Sequence, residues 1–362
     1  MRHLLIGSTR AGSGKSATVL GLAFHLQSRG FEVGYGKPIG TFLSRDLPDV
    51  AESEEADVSF ITQTLGLSAS ALRPTLLQLD RHILQRRLLG VDTTDYGALL
   101  RRYHDHHHGD VTLVEAPANT AEGSLFGLSL SEMADCLDAP ILLVARFNSL
   151  LTVEHLLVAQ KRLGDRLMGV VINDIPSAEY DQTVPLLRQC LLSRGIAVFG
   201  LMPDNRILRS VSVSELVEQL EAKVMYASDL VSLDDLMVEE LKIGAMDVNS
   251  ALSFFRRSYN KAVVTGSDRL DLQLAALETS TSCLILTGQP FIADEVQQRA
   301  RELGVPILFV GRDTLATVST ITNCLGQVRL HEGVKVQCIR EMMAMHFDFE
   351  ELLSNLGLVL VK

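Results

Sequence analysis

The sequence MRHLLIGSTRAGSGKS, residues 1–16, sets a glycine-rich run between an apolar stretch and a helical pattern. His3–Ile6 predicts a strand, and Ala17–Arg29 predicts an amphipathic helix. A strand, a glycine-rich turn that ends in Lys-Ser, and a helix are together the context of a phosphate-binding P-loop. The usual spacing, GxxxxGK followed by Ser or Thr, requires glycine at position 9, where this chain has Thr9. An ordinary glycine-rich turn before a helix is the competing interpretation.

This loop predicts a nucleoside triphosphate site, with ATP and Mg²⁺ as the expected ligands. Glycines let the backbone curl so that its N–H groups face phosphate oxygens, and the start of the helix adds partial positive charge. Lys15 would reach the β- and γ-phosphates, and the Ser16 hydroxyl would bind Mg²⁺. The residues predicted to contact the nucleotide are Thr9, Gly12, Ser13, Gly14, Lys15, Ser16 and Ala17.

The first part of the chain alternates short apolar runs with helical patterns. After His3–Ile6, further strands are predicted at Glu32–Tyr35, Asp110–Glu115, Ala139–Ala145, Leu167–Asn173 and Ala197–Leu201. Strands that are apolar almost throughout, and are separated by helices, favour a parallel sheet covered on both faces. We therefore predict a doubly wound, mostly parallel α/β P-loop domain over residues 1–210.

Charged residues at the ends of predicted elements extend the site. Lys37 follows the second strand, where a side chain faces the ligand crevice of a doubly wound sheet, although a solvated lysine fits this position too. Glu115 ends the strand VTLVE, and Asp57 opens a helical segment. Either carboxylate could complete a Mg²⁺ shell with Ser16. Lys15 and Lys37 are thus candidate catalytic residues, and Ser16, Asp57 and Glu115 are candidate metal ligands.

A second alternation of strands and helices follows Val211–Glu221, a Glu-rich helical stretch that ends the first domain or links it to the next. The predicted strands are Lys261–Thr265, Cys283–Leu286 and Ile307–Val310, and the predicted helices are Leu270–Thr279, Ile292–Leu303 and Thr314–Leu325. This pattern predicts a smaller βαβαβ domain over residues 211–345. Val334–Leu356 predicts an amphipathic helix, and residues 346–362 form a helical tail.

Asp268 and Arg269 lie between a predicted strand and the helix Leu270–Thr279. Asp268 is placed to cap that helix by accepting an N–H from its first turn, and this cap alone explains the pair without any ligand. Arg269, beside free helix N–H groups, also suits a small anionic ligand or the acidic group of a protein partner. Thr287-Gly288 and Asp313-Thr314 would end neighbouring strands at the same crevice.

Composition and charge argue against several classes of function. The chain has 362 residues and a formal net charge of −11, so a polyanion such as DNA is repelled overall. No apolar run reaches the roughly 18 residues that span a bilayer, and the first residues predict a strand and not a leader. Five scattered cysteines without a CxxC fit small core residues in a reducing compartment. We expect no nucleic acid, no membrane and a cytoplasmic location.

Two further motifs have competing interpretations. The cluster Tyr103–His108 is rich in histidine, but adjacent side chains diverge, so a solvated loop is favoured over a metal site. Arg10 precedes Lys15 by five residues. It faces solvent or, in an oligomer, reaches the phosphates bound by a second copy of the chain.

The order of these motifs resembles dethiobiotin synthetase over residues 1 to about 210. The matching motifs are Gly7–Ser16, Gly36-Lys-Pro38, Asp57, Val114-Glu115 and Val171-Ile-Asn-Asp174. The resemblance implies that Lys15, Ser16, Lys37, Asp57 and Glu115 hold ATP, Mg²⁺ and a carbamate intermediate, and that Asn173 contacts the base. It also implies a homo-oligomer, at least a dimer, with the site at the interface.

The second half resembles the DRTGG domain through Val264-Thr-Gly-Ser-Asp268-Arg269, Leu284–Gly288 and Asp313-Thr314. The two modules in this order resemble the N-terminal regulatory half of long bacterial phosphate acetyltransferases. The catalytic domain of those enzymes would follow, and because this chain ends at Lys362 we expect no phosphate acetyltransferase activity.

Two departures argue against dethiobiotin synthesis itself. Glu115 is followed by Ala-Pro where the synthetases have Glu-Gly, which narrows backbone freedom, and Arg10-Ala-Gly-Ser replaces an Asp/Thr-rich loop. The leading hypothesis is an ATP- and Mg²⁺-binding regulatory or assembly protein, linked by resemblance to acetyl-phosphate or acetyl-CoA metabolism. The alternatives are an ATP-dependent carboxylate-activating ligase with an unknown small substrate and a nucleotide-gated structural protein.

Overall fold

The structure is a computed structural model that describes residues 2–41, 58–105, 109–228, 230–325 and 332–359. It divides into two compact units. The first comprises Met1–Asp204 and Val336–Lys362, and the second comprises Asn205–Lys335.

The first unit is built on a parallel sheet. Its strands are β1 (Arg2–Ser8), β2 (Val33–Gly36), β3 (Ile39–Thr41), β4 (Leu72–Arg73), β5 (Leu77–Leu79), β6 (Val111–Glu115), β7 (Ile141–Arg146), β8 (Leu167–Ile175) and β9 (Val198–Pro203). In the described ranges, seven of them form one sheet in the order β4-β2-β6-β1-β7-β8-β9, and β3 pairs with β5 separately. Because every pairing in the large sheet is parallel, the carboxyl ends of its strands meet at one edge.

Helices connect these strands. They are α1 (Lys15–Ser28), α2 (Arg81–Leu88), α3 (Tyr96–Arg101), α4 (Leu130–Leu137), α5 (Thr152–Leu163) and α6 (Tyr180–Leu192). Local sequence sets where they begin. At α4, for example, Ser129 and Glu132 form a capping box, in which the Ser129 N–H donates to the Glu132 carboxylate at 2.9 Å. The central strand β6 is buried along its whole length and β7 is buried up to its last residue, Arg146, as expected for a sheet covered on both faces. The predicted doubly wound α/β fold is confirmed.

The second unit is a smaller α/β domain. Its strands are β10 (Val211–Ser212), β11 (Lys223–Tyr226), β12 (Met237–Val238), β13 (Glu240–Gly244), β14 (Lys261–Gly266), β15 (Thr281–Thr287) and β16 (Ile307–Val310). Its helices are α7 (Arg206–Arg209), α8 (Val213–Leu220), α9 (Val248–Phe255), α10 (Leu270–Leu277), α11 (Asp294–Leu303) and α12 (Thr314–Leu325). The main sheet has the order β11-β16-β15-β14-β13, and buried apolar residues cover both of its faces.

The βαβαβ prediction for this unit was incomplete. It contained β14, β15 and β16 but not the two edge strands. β13, with the sequence ELKIG, pairs parallel to β14, and β11 pairs antiparallel to β16. Both edge strands are partly exposed and carry charged or polar residues, so neither shows the continuous apolar run of a buried strand.

The prediction of one amphipathic helix over Val334–Leu356 was also wrong. This segment forms α13 (Gly333–His346) and α14 (Phe349–Leu356), with a break at Phe347 and Asp348. At the break, the Asp348 N–H donates to the Phe199 carbonyl of β9 at 2.7 Å, and the Asp348 carboxylate caps α14. Tertiary pairing with β9 therefore overrides the helical pattern. Across the described ranges, no helix combines the length and the apolar composition needed to cross a bilayer.

Candidate nucleotide site

The loop between β1 and α1 has the backbone of a phosphate-binding turn. Gly12 and Gly14 adopt φ values of 67° and 95°, a left-handed conformation that favours glycine, and α1 begins directly afterwards at Lys15. Thr9, which replaces the usual glycine, is absent from the positive-φ residues, and its N–H donates to the Val144 carbonyl of β7 at 3.3 Å. A side chain is therefore tolerated at position 9 without strain.

Hydrogen bonds from two side chains to backbone carbonyls fix the shape of this loop. The hydroxyl of Ser13, which is 2 % exposed, donates to the Arg10 carbonyl at 2.7 Å. The Asn173 amide at the end of β8 donates to the Ser13 carbonyl at 2.8 Å. A methyl group at Gly14 would collide with that same amide nitrogen, so residue 14 must lack a side chain. Sequence spacing could not reveal this contact, because it joins residues 160 positions apart.

Lys15 lies in the first turn of α1 and points back to the end of β1. Its ammonium group donates to the Ser8 hydroxyl at 3.2 Å, and that hydroxyl donates to the Ala118 carbonyl at 2.8 Å. Ser8 is fully buried at the point where β1 ends. The lysine side chain is thus held over the loop, where an anion cradled by the loop N–H groups would lie. Ala17 follows in the same helical turn and is half-buried.

Ser16 and Glu115 meet directly. The Ser16 hydroxyl donates to Glu115 Oε1 at 2.7 Å, and the Tyr35 hydroxyl donates to Glu115 Oε2 at 3.1 Å. Glu115 is 3 % exposed, and a buried carboxylate is stabilised when both of its oxygens accept hydrogen bonds. A hydroxyl beside a carboxylate, next to a glycine-rich loop, is an oxygen donor set that fits Mg²⁺. The role of Tyr35 was not predicted, since it stands inside a buried strand.

The remaining residues predicted for the site differ in where the structure places them. Lys37 is half-buried and follows β2, whose Gly36 pairs with Val114 of β6, so Lys37 lies at the same sheet edge as Glu115. Asp57, the other proposed metal ligand, lies outside the described residues. Arg10 is exposed.

An ion pair that the sequence did not predict lies beside Asn173. Arg146 ends β7 and is paired in register with Asn173, and its Nε lies 2.6 Å from the carboxylate of Asp174. Asp174 has a φ of 65°, which turns the chain at this strand end. The pair joins the ends of β7 and β8 at the edge where the glycine-rich loop lies.

The histidine cluster gives no metal centre among the described residues, where no group of three potential His, Cys, Asp or Glu ligands occurs. His106–His108 lie outside the described ranges. His104 packs edge-on against the ring of His3 at 4.9 Å.

In the second unit, the predicted strand ends do meet at one edge. Gly266 of β14 pairs with Thr287 of β15, and Thr287 pairs with Val310 of β16. The Thr287 and Thr314 hydroxyls lie 2.8 Å apart, and the Ser267 hydroxyl accepts the Gln289 N–H at 3.1 Å. Small hydroxyl groups therefore line this edge.

The predicted roles of Asp268 and Arg269 were wrong in part. The helix begins after Arg269, and no side chain caps it, so Asp268 does not perform the predicted capping. Arg269 forms a two-point ion pair with Asp271 at 3.1 Å and donates to the Met246 carbonyl at 2.9 Å. Arg269 therefore has a structural role, the hydrogen bonds to Asp271 and Met246, that the sequence did not suggest.

Comparison with known proteins agrees with this architecture. The family described as AAA domain matches residues 2–212, and the DRTGG domain matches residues 215–324. Phosphate acetyltransferase of Nitrosomonas europaea is 24 % identical over 99 % of this chain and 52 % of its own length, so the chain spans about half of that relative. ATP-dependent dethiobiotin synthetase BioD of Bacillus licheniformis is 29 % identical over 56 % of this chain and 86 % of its own length.

Among solved structures, the MinD cell division protein of Aquifex aeolicus aligns with 57 % of this chain and 83 % of its own, at 16 % identity and a TM-score of 0.36. The family matches divide the sequence between residues 212 and 215, close to the boundary of the two compact units. The chain belongs to the AAA domain family through its P-loop unit, and a DRTGG domain follows that unit.

Proposed function

We propose that this chain binds ATP with Mg²⁺ at the β1–α1 loop and acts as a regulatory or assembly protein linked to acetyl-phosphate or acetyl-CoA metabolism. The observation that carries the nucleotide part is the direct pairing of Ser16 with the buried Glu115 beside a loop of left-handed glycines. The metabolic link rests on the likeness to phosphate acetyltransferases over nearly the whole of this chain.

Different residues of the chain would bind the phosphates and the metal ion. The loop N–H groups and Lys15 would bind and neutralise the phosphates, and Ser16 and Glu115 would supply oxygen ligands to Mg²⁺, which would add positive charge beside the phosphates. Tyr35 would keep Glu115 oriented, because it bonds the other carboxylate oxygen.

Glu115→Gln tests the Mg²⁺ part of the proposal. The amide keeps the size of the side chain but removes its charge, so we expect the gain in ATP affinity on adding Mg²⁺ to shrink about tenfold. Calorimetric titration of ATP with and without Mg²⁺ measures that gain. Glu154→Gln, in the first turn of α5 and exposed, is the matched control. An equal Mg²⁺ effect in the Glu115 variant and the wild type would contradict the assignment.

An ATP-dependent carboxylate-activating ligase is the second candidate, and the observation in its favour is the position of Lys37. It lies at the edge that holds Lys15 and Glu115, where a second cation could face an acyl group and not the nucleotide. The two functions differ in their products. ADP release that depends on an added carboxylate supports the ligase, whereas slow ADP release that no carboxylate accelerates supports the regulatory function.

We also propose that the hydroxyl-lined edge of the second unit binds a small anionic ligand or the acidic group of a protein partner. Arg269 already forms an ion pair with Asp271, so Arg269→Ala would break that pair as well as any ligand contact. Thr287→Val is therefore the more specific test. We expect phosphate-bearing anions to raise the melting temperature of a Lys15→Ala chain, and Thr287→Val to abolish the rise. Equal shifts with and without Thr287→Val, or no shift at all, would exclude this edge as an anion site.

Oligomerisation is a further part of the proposal. The exposed Arg10 is available to reach the phosphates of a second copy, so we expect ATP with Mg²⁺ to favour a homodimer and Arg10→Ala to weaken that effect. Light scattering with and without ATP measures the mass directly. A monomeric mass under both conditions would contradict the proposed homodimer.

A further inference from the structure

Ser8 places a buried hydroxyl at the edge of the sheet where the glycine-rich loop begins. It is the last residue of β1, and it is 0 % exposed. Its backbone is paired in register with Val144 of β7, so the sheet fixes the point from which its side chain extends. A hydroxyl shielded from bulk water is normally hydrogen-bonded within the protein, and the partners of Ser8 therefore indicate what it does.

This hydroxyl both donates and accepts a hydrogen bond. Its one proton is donated to the Ala118 carbonyl at 2.8 Å, in the segment that follows β6. Its lone pairs remain to accept, and the Lys15 ammonium group donates to them at 3.2 Å. The hydrogen bond to Ala118 thus turns the acceptor side of the Ser8 hydroxyl toward Lys15.

The contact with Ser8 orders a side chain that is otherwise flexible. Lysine has a long stem with many rotamers, and a ligand that binds through it must bear the entropy cost of ordering that stem. Lys15 is the first residue of α1, so the helix fixes the backbone end of its side chain. The hydrogen bond to Ser8 fixes the ammonium end. The charged group is therefore in place over the loop before a phosphate binds.

The same hydrogen bond can persist when a nucleotide is bound. An ammonium group has three N–H donors, and one of them serves Ser8. Phosphate oxygens cradled by the loop would accept from Lys15 in other directions. Because Ser8 is neutral, it leaves the positive charge of Lys15 available to the phosphates, whereas a carboxylate in its place would neutralise that charge. A buried hydroxyl is thus suited to hold this lysine without competing for it.

We propose that Ser8 is a positioning residue for Lys15, which orders the ammonium group over the glycine-rich loop and thereby raises the affinity of the chain for ATP. This inference rests on the proposed nucleotide function and assigns part of it to a residue that precedes the GxxxxGK spacing, which begins at position 9. Ser8 acts through Lys15 alone, so its contribution to binding exists only while the ammonium group is present.

A double-mutant cycle tests this role. ATP is titrated calorimetrically at fixed Mg²⁺ into the full wild-type chain, Ser8→Ala, Lys15→Ala and the double variant. We expect Ser8→Ala to weaken ATP binding about two- to tenfold, the factor that corresponds to ordering one long side chain. In the Lys15→Ala background the same substitution should have no effect, because no ammonium group is left to position. A residue that only supported the fold of the loop would weaken binding by the same factor in both backgrounds.

The response to Mg²⁺ separates this role from one exerted through Glu115. The distinction is needed because Ala118, which accepts the Ser8 proton, follows Glu115 closely in the chain. We expect the gain in ATP affinity on adding Mg²⁺ to be the same in Ser8→Ala as in the wild type. Loss of that gain in Ser8→Ala would show that Ser8 acts through the metal ligand, and would overturn the proposal.

Ser129→Ala is the matched control, because Ser129 is another buried serine of the first unit, and its hydroxyl caps α4. This variant should have a lower melting temperature and an unchanged affinity for ATP. Wild-type affinity in Ser8→Ala, or equal losses from Ser8→Ala in the wild-type and Lys15→Ala backgrounds, would overturn the proposal. Equal ATP affinity in the wild type and Lys15→Ala would instead contradict the nucleotide site itself, whatever the effect of Ser8→Ala.

Discussion

Replacing Lys15 with alanine is expected to weaken ATP binding about 10- to 150-fold. The ammonium group lies over the glycine-rich loop, 3.2 Å from the Ser8 hydroxyl, where it can donate to phosphate oxygens. Removing one charge-assisted hydrogen bond costs about 1.5–3 kcal/mol, and each 1.4 kcal/mol is a factor of ten in affinity. Isothermal titration of ATP at fixed Mg²⁺ measures the effect.

Lys161→Ala, on the exposed surface of α5, is the control for a general loss of positive charge. It should bind ATP as the wild type does. The melting temperature of Lys15→Ala without nucleotide should stay close to that of the wild type, because Lys15 lies at the surface end of the loop and is only half-buried. If Lys15→Ala bound ATP with unchanged affinity, this loop would not be the nucleotide site.

The parts of the site that could be predicted are those encoded in local order. A glycine-rich turn between a strand and a helix identifies Lys15 and Ser16, and a carboxylate that ends a buried strand identifies Glu115. In a parallel sheet these strand ends share an edge, and because β6 lies directly beside β1, Ser16 and Glu115 come into contact. Local sequence and tertiary structure agree here.

The parts that could not be predicted depend on partners distant in the chain. The contact of Asn173 with the nucleotide base, which the resemblance implies, stays a prediction. The hydrogen bond from its amide to the loop backbone at Ser13 was not predicted, since nothing near residue 173 signals it. Tyr35 has the pattern of an ordinary core residue, since its ring is buried and only its hydroxyl reaches Glu115. Asp268 has the sequence of a helix cap, but the helix begins one residue later than a cap at that position requires.

The edge strands of the fold were also difficult to predict from the sequence. β11 pairs antiparallel at the rim of the second sheet, where one side of the strand has no neighbour in the described residues. Its sequence, KVMY, mixes charge with apolar residues because an edge strand is solvated, and that mixture is also typical of a loop. Buried strands such as β15 carry a continuous apolar run and are therefore visible in the sequence.

Acid should destabilise the first unit through His3, with an expected effect of about 3 kcal/mol between pH 6.5 and pH 4. His3 lies in β1 and is 4 % exposed, and its Nε2 has no hydrogen-bond partner among the described residues. Burial, and then the positive charges of His104 and Arg73, lower the pKa of His3 to about 4. A shift of one pKa unit corresponds to 1.36 kcal/mol, so a shift from 6.5 to about 4 gives this magnitude.

The direction follows from proton binding. Between pH 6.5 and pH 4 the unfolded chain protonates this histidine and the folded chain does not, so the free energy of unfolding falls as the pH falls. Above pH 6.5 His3 is neutral in both states, and the free energy of unfolding has its full value. Below about pH 4 the folded chain must also protonate His3, and about 3 kcal/mol of that free energy is lost. His25 has a pKa lowered to about 4 by burial and by Arg29, so it adds a second loss in the same range.

His3→Gln separates the contribution of His3 from the rest. Glutamine is polar but does not titrate, so the variant should show a shallower fall in melting temperature between pH 6.5 and pH 4, by the equivalent of one proton. Its melting temperature at pH 7.5 is not the readout, because a change in packing alters that value without altering the slope. His155→Gln, at an exposed position of α5, should keep the slope of the wild type. Parallel pH profiles for His3→Gln and the wild type would show that His3 is protonated equally in the folded and unfolded chains, and the ring would then have to be accessible to water despite its place in β1.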